Sequence, residues 1–243
     1  MKKSFPIAVA IILILVPSPA GASQLIDNLK AGKDQVVVAY GTSLTEKGAW
    51  VAQVGQWLNS QGFPGKATMI NKGVSGSTTR THGVPDVDRD VIQQKADAVF
   101  VEFAMNDCIR RLADPNATPP RLVDAPVDVS LEKFKSNLEK ILDDIHAGLP
   151  NAEVLLLTMN VASDSAHYPN SGKYRAALPD YYQAIRDIGA AKSVCVIDIY
   201  PEWLALQKSD PERLKALIID GVHPTPEGNG AIITPTIQSA LTR

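Results

Sequence analysis

The sequence predicts an α/β fold, a three-layer, doubly wound sheet of five parallel strands with helices on both faces. Three observations carry that expectation. Five short apolar runs recur along the chain, none with an internal Gly or Pro. All but one are rich in Val, Ile or Leu, the composition of strands buried on both faces of a parallel sheet. Stretches of helical periodicity separate them, and regular alternation of strand and helix implies crossover connections between parallel neighbours.

The runs are Gln35–Tyr40, the brief Thr68–Asn71, Ala98–Phe103, Glu153–Met159 and Ser193–Ile199. Between them, Ala49–Gln61 sets Trp50, Val54, Trp57 and Leu58 on one helical face. Ser130–Gly148 places Leu131, Phe134, Leu138, Ile141, Leu142 and Ile145 at steps of three and four, with Ser130 positioned to cap the helix. Asp180–Ala191 carries Tyr181, Ile185 and Ile188. After His223, Thr225 and Pro226 suit the N-cap and first position of a last helix, which Pro235 is placed to bend. Two long loops, Arg111–Val129 and Asn160–Pro179, are rich in Pro or polar residues. Each reads either as a variable surface connection or as a wall of a substrate mouth. No repeat, linker or second domain is visible.

The first residues follow a different logic. Lys2 and Lys3 precede an apolar run from about Phe5 to Val16, and Ala20-Gly21-Ala22 forms the small-x-small pattern of a signal-peptidase site. The run is roughly a dozen residues, against the ~20 that a bilayer needs. We therefore expect residues 1–22 to be a cleaved secretory signal, a secreted or periplasmic location, and a single domain over residues 23–243. An uncleaved N-terminal anchor is the alternative. Without residues 1–22 the chain holds 22 basic and 26 acidic side chains, a net charge of −4, since only Lys2 and Lys3 are lost. That balance gives no basic footprint for nucleic acid. The two cysteines, Cys108 and Cys195, are expected to be separate thiols rather than a disulfide framework.

Four elements carry chemistry. Ser43 leaves the first strand in Tyr40-Gly41-Thr42-Ser43-Leu44-Thr45. It lacks the Gly-x-Ser-x-Gly elbow, and alone it reads as a turn or N-cap serine. Asn71-Lys72-Gly73-Val74-Ser75-Gly76-Ser77 offers glycines whose backbone N–H can face a cleft, and it is not a phosphate loop. In Glu102-Phe103-Ala104-Met105-Asn106-Asp107, the Asn106 amide donates two hydrogen bonds without changing charge, as an oxyanion hole requires; a turn asparagine is its ordinary role. Asp220-Gly221-Val222-His223 puts a carboxylate and an imidazole within reach of one point. A serine hydroxyl needs a base to take its proton, and the base needs a carboxylate to fix its tautomer. His82, His146 and His167 lack comparable partners in the sequence, and no His-Glu-x-x-His or Cys-x-x-Cys spacing suggests zinc.

The order of these four elements, at strand ends along nearly the whole chain from Val36, resembles the SGNH hydrolases, also called the GDSL family of esterases and lipases. The family's Gly-Asp-Ser-Leu block stands here as Gly41-Thr42-Ser43-Leu44, with Thr42 in place of Asp. The second block's glycine matches Gly76. The third, Gly-x-Asn-Asp, stands as Ala104-Met105-Asn106-Asp107, with Ala104 in place of Gly, and Asp-x-x-His matches Asp220 to His223. The hydroxyl of Thr42 can hydrogen-bond locally; the methyl of Ala104 is expected to narrow the pocket or shift the backbone.

The resemblance implies a flavodoxin-like sheet and a secreted serine esterase working through an acyl-enzyme. It implies Ser43 as nucleophile, His223 as base and Asp220 as its orienting acid. The oxyanion hole would be the Ser43 and Gly76 backbone N–H groups with the Asn106 side chain. No cofactor or metal is expected. Short acyl chains or acetyl groups on carbohydrate are the favoured substrates, since aromatic residues make up only 6% of the chain and no long apolar stripe is visible. Lysophospholipase, thioesterase or acyltransferase activity stays open within the family. A non-catalytic carbohydrate- or envelope-binding module is the alternative of another class. The expected partner is a small-molecule or polysaccharide ester, with no nucleic acid and no stable membrane insertion.

Overall fold

The computed structural model describes residues 23–113, 122–124 and 126–243, so the expected signal segment, residues 1–22, lies outside the described residues. The strands in chain order are β1 (Gln35–Gly41), β2 (Ala67–Gly73), β3 (Ala98–Glu102), β4 (Arg111–Ala113), β5 (Leu122–Asp124), β6 (Glu153–Thr158) and β7 (Cys195–Asp198). Five of them form one parallel sheet in the order β2-β1-β3-β6-β7. These are the five predicted strands, within two residues at each end. β4 and β5 pair as an antiparallel ribbon inside the first long loop, whose residues 114–121 and 125 lie outside the described residues.

The helices are α1 (Gln24–Lys30), α2 (Ser43–Glu46), α3 (Trp50–Ser60), α4 (Val87–Asp90), α5 (Leu131–Gly148), α6 (Ser171–Tyr174), α7 (Leu178–Lys192), α8 (Tyr200–Ser209), α9 (Pro211–Leu217), α10 (Pro226–Gly228) and α11 (Thr234–Leu241). α3 packs with α11 in one layer, and α5 packs with α4 and α7 in the other. α5 starts as predicted, with the Ser130 hydroxyl accepting from the Lys133 N–H at 3.3 Å. Its inner face buries Phe134, Leu138, Ile141, Leu142 and Ile145. Each such side chain contributes about 1.5–3 kcal/mol before conformational entropy is charged against it. Thr225 caps α10, and Pro235 lies in the first turn of α11, after a wide π-type turn over Asn229–Ile233. The expected bend is therefore a change of helix at a place where proline's missing N–H costs nothing.

Burial on both faces holds for β3, all of whose residues are buried, and for most of β1. It fails for β2 and β7. These two are the sheet's edges, each with a neighbouring strand on one side only. Cys195 is accordingly exposed on β7, while Cys108 is buried; both are free thiols. In the strand order, the chain passes from β1 to β2 on one side and then crosses to β3 on the other. That reversal opens a crevice beyond the C-terminal ends of β1 and β3, the place where open α/β sheets bind ligands.

Candidate active site

Ser43 stands at this crevice as the first residue of α2, two residues beyond the last residue of β1. The turn is held from below. Thr42 is extended, its hydroxyl accepts from the Leu44 N–H at 3.2 Å, and it caps α2. The N–H and hydroxyl of Thr42 and the hydroxyl of Thr45 all donate to Glu102 Oε2, at 2.9, 2.9 and 3.0 Å. Gly41 pairs with Glu102 across β1 and β3, and a β-carbon there would lie 2.4 Å from the Glu102 carbonyl oxygen. Glycine is required by that close approach. Glu102 is fully buried and its Oε1 has no hydrogen-bond partner among the described residues. Burial pushes its carboxyl up to about 7, against the pull of those hydrogen bonds. Thr42 thus meets the expectation that its hydroxyl bonds locally.

His223 arrives from the loop between α9 and α10. Its Nε2 lies 2.8 Å from the Ser43 hydroxyl, and its Nδ1 lies 2.6 Å from Asp220 Oδ2. Asp220 Oδ1 accepts the backbone N–H groups of Val222 at 2.9 Å and His223 at 2.7 Å. Partial burial alone would raise the Asp220 carboxyl, but the hydrogen bonds from His223 and Val222 outweigh it and hold the group below its ordinary value. With the carboxylate on Nδ1, the neutral ring presents Nε2 to the hydroxyl as an acceptor.

The two remaining loops close the opposite wall. Gly76 has φ +74°, a conformation that favours glycine, and the space beside its α-carbon is open. The Asn106 amide donates to the Ser77 carbonyl at 2.9 Å, which fixes a side chain that lines the cleft and holds a second N–H. Among the described residues, neither the Ser43 nor the Gly76 backbone N–H has a hydrogen-bond partner. Buried Asp107 ties the two loops together. It accepts the Thr79 N–H at 2.8 Å, the Thr79 hydroxyl at 2.5 Å and the Ala104 N–H at 3.2 Å. Burial raises its carboxyl to about 6. Ala104 is itself buried and does not line the cleft. Its departure from glycine acts on the backbone instead, through φ +114°, a strain of about 1–3 kcal/mol for a non-glycine residue.

The resulting cavity, about 160 Å³, is lined by Ser43, Gly76, Asn106 and His223, with Asp220 behind the ring. All five predicted site residues therefore meet. Sequence reasoning missed Lys47, Tyr168 and Arg175, which share the lining. Tyr168 and Arg175 come from the second long loop, which is thus a wall of the cleft. Buried Arg175 also donates from Nε to the Met105 carbonyl at 3.0 Å, bracing the residue before Asn106. No spacing rule marks such residues, because their position depends on how the loop folds back.

His82 corrects one expectation. It has partners: its Nδ1 lies 2.9 Å from Asp86 Oδ2, and its Nε2 lies 3.1 Å from the Lys72 carbonyl. With Asp90 these groups form the one cluster among the described residues with metal-ligand geometry. Asp90 already pairs with Lys72 and Arg89, and Asp86 pairs with Arg89. The protein's own cations occupy the carboxylates, and the ring lies under Tyr40, outside the cleft lining.

The profile of the GDSL-like lipase/acylhydrolase family matches residues 36–231 of the chain. No curated protein matches the sequence. Among solved structures, an acetylxylan esterase of Geobacillus stearothermophilus superposes with a TM-score of 0.69 at 20% identity, covering 88% of this chain and 99% of its own. A putative GDSL-like lipase of Parabacteroides merdae gives 0.66 at 17% identity, covering 86% and 96%.

Proposed function

The chain belongs to the GDSL-like lipase/acylhydrolase family, and from that premise we propose that it is a serine esterase cleaving short-chain carboxylic esters, acetyl groups on carbohydrate foremost. The observation that carries the reading is the unbroken relay from Asp220 through His223 to Ser43, at 2.6 and 2.8 Å. His223 takes the Ser43 proton as the hydroxyl oxygen attacks the ester carbonyl, and Asp220 stabilises the imidazolium. The oxyanion meets the N–H groups of Ser43 and Gly76 and the Asn106 amide. These donors are fixed before the charge develops, so none of the stabilisation is spent on orienting them. His223 then gives its proton to the leaving alcohol. Water, deprotonated by the same ring, cleaves the acyl-enzyme.

A cavity of about 160 Å³ favours an acetyl or similarly small acyl group over a long chain. The Geobacillus esterase is described as acting on acetylated xylan and xylo-oligosaccharides, and catalytic mutants of it replace a serine, an aspartate and a histidine. Its aspartate and histidine stand three positions apart, as Asp220 and His223 do. We propose further that residues 1–22 direct export and that residues 23–243 form the single mature domain. Among the described residues no helix is long and apolar enough to cross a membrane.

The test pairs a fluorophosphonate label with an ester series running from acetyl to long acyl, alongside acetylated xylo-oligosaccharides. The expected result is labelling of Ser43, preference for acetyl esters, and loss of both in Ser43→Ala. Binding of saccharide with neither labelling nor hydrolysis would make the chain a binding module. N-terminal sequencing of the exported protein should begin at Ser23.

A further inference from the structure

A cavity larger than the one that holds Ser43 is present among the described residues. It measures about 550 Å³ and is bounded by the second long loop and the end of α9, with Ser163, Asp164, Asn170, Lys215, Ile218 and Ile219 in its lining. That size lies within the ~300–1,000 Å³ of small-molecule sites. The lining offers hydroxyl, amide, carboxylate and ammonium groups around an apolar face. The side chains of Ser163 and Asn170 make no hydrogen bond to another described residue, so their donors and acceptors are open to a ligand. Ile219 is 71% exposed, the most exposed large apolar side chain among the described residues.

Two connections join this cavity to the catalytic cleft. Tyr168 lines the cleft, while residues on both sides of it in the chain line the larger cavity. The loop bearing Asp220 and His223 continues directly from Ile218 and Ile219. It is fastened to the cavity wall, where the Ser165 hydroxyl donates to the Asp220 carbonyl at 2.6 Å and the Ser163 N–H donates to the Gly221 carbonyl at 2.9 Å. The two linings are thus neighbours along the chain at Tyr168 and are tied together through the loop that carries Asp220 and His223.

Resting on the esterase reading above, we infer that this cavity is a second subsite, which takes the polyhydroxylated chain beyond the acylated sugar. Sugar rings present hydroxyl edges for Ser163, Asp164, Asn170 and Lys215 and a C–H face for Ile219. A fatty acyl chain is the poorer occupant, because it would strip water from Asp164 and Lys215 and return no hydrogen bonds.

The test measures kcat/KM on acetylated xylo-oligosaccharides of increasing length, relative to an aryl acetate. The ratio should rise with length in the native protein. It should fall about tenfold in Ile219→Ser and in Lys215→Ala, equivalent to about 1.4 kcal/mol each. A parallel titration of Ser43→Ala with unacetylated xylo-oligosaccharide, followed by NMR, should shift the Ile219 methyl resonances. A ratio independent of length together with no shift overturns the subsite. A ratio that grows instead with acyl length, and falls in Ile219→Ser, overturns it in favour of an acyl-chain site. Methyl shifts without hydrolysis of any ester sink the esterase reading alone and keep the cavity as a saccharide site.

Discussion

Replacing Glu102 by glutamine removes a titration while nearly keeping a shape. In the folded chain, burial holds this carboxyl at about 7; in the unfolded chain it titrates near about 4.3. The folded state thus binds the proton more tightly. The stability that Glu102 contributes is full below pH ~4 and is lost as pH rises through about 7. Holding the carboxyl at about 7 rather than about 4.3 corresponds to about 3–4 kcal/mol in all, most of it falling between pH ~4 and pH ~8. Glutamine does not titrate, and its buried amide, lacking an acceptor, costs an amount that does not vary with pH. Wild-type stability minus Glu102→Gln stability should therefore fall by about 3 kcal/mol between pH ~4 and pH ~8. Urea unfolding of both proteins across that range measures it, with equal m-values as the check on a common unfolded state. Asp107 titrates in both proteins and largely cancels in the difference. A difference that stays constant with pH would refute the reasoning, since it would mean that Glu102 ionises alike in the folded and unfolded chains.

Other outcomes follow from the same geometry. Gly41→Ala sets a methyl 2.4 Å from the Glu102 carbonyl oxygen and 2.7 Å from the Thr45 hydroxyl. Backbone cannot yield there, so stability should drop by about 3 kcal/mol or more, seen as a Tm lower by about 6–12 °C; an unchanged Tm contradicts the close approach. Asn106→Ala should lower kcat about 100- to 1,000-fold through loss of an oxyanion donor, measured on an aryl acetate. An equal rise in KM with kcat intact would assign the amide to substrate binding instead. Asp220→Asn should cost on the order of 10⁴-fold in turnover, because an amide no longer fixes the ring tautomer, while CD spectra stay native.

Much of this was legible in the residues. Val36 to Ala39 and Val99 to Val101 declare buried strands by composition, and the order of strand and helix implies crossovers. Ser43 and the Asp220–His223 pair were legible because a hydroxyl, an imidazole and a carboxylate are distinctive residue types, and they stand in the order of the family's motifs. The second wall of the cleft was not. Arg175 and Tyr168 carry no periodic signal, and their places depend on the loop that runs back from β6. His82 misled for a similar reason. Its acids lie four and eight residues downstream, and only the turn into α4 brings Asp86 and Asp90 towards the ring. The edge strand β7 read as buried because composition registers apolar content, whereas exposure depends on which neighbour is missing.

The serine and the histidine that touch each other stand 180 positions apart in the chain. During synthesis the hydroxyl is made first, and the ring that lies 2.8 Å from it follows 180 residues later. A polypeptide interrupted anywhere between the two carries the hydroxyl without the imidazole that reaches it.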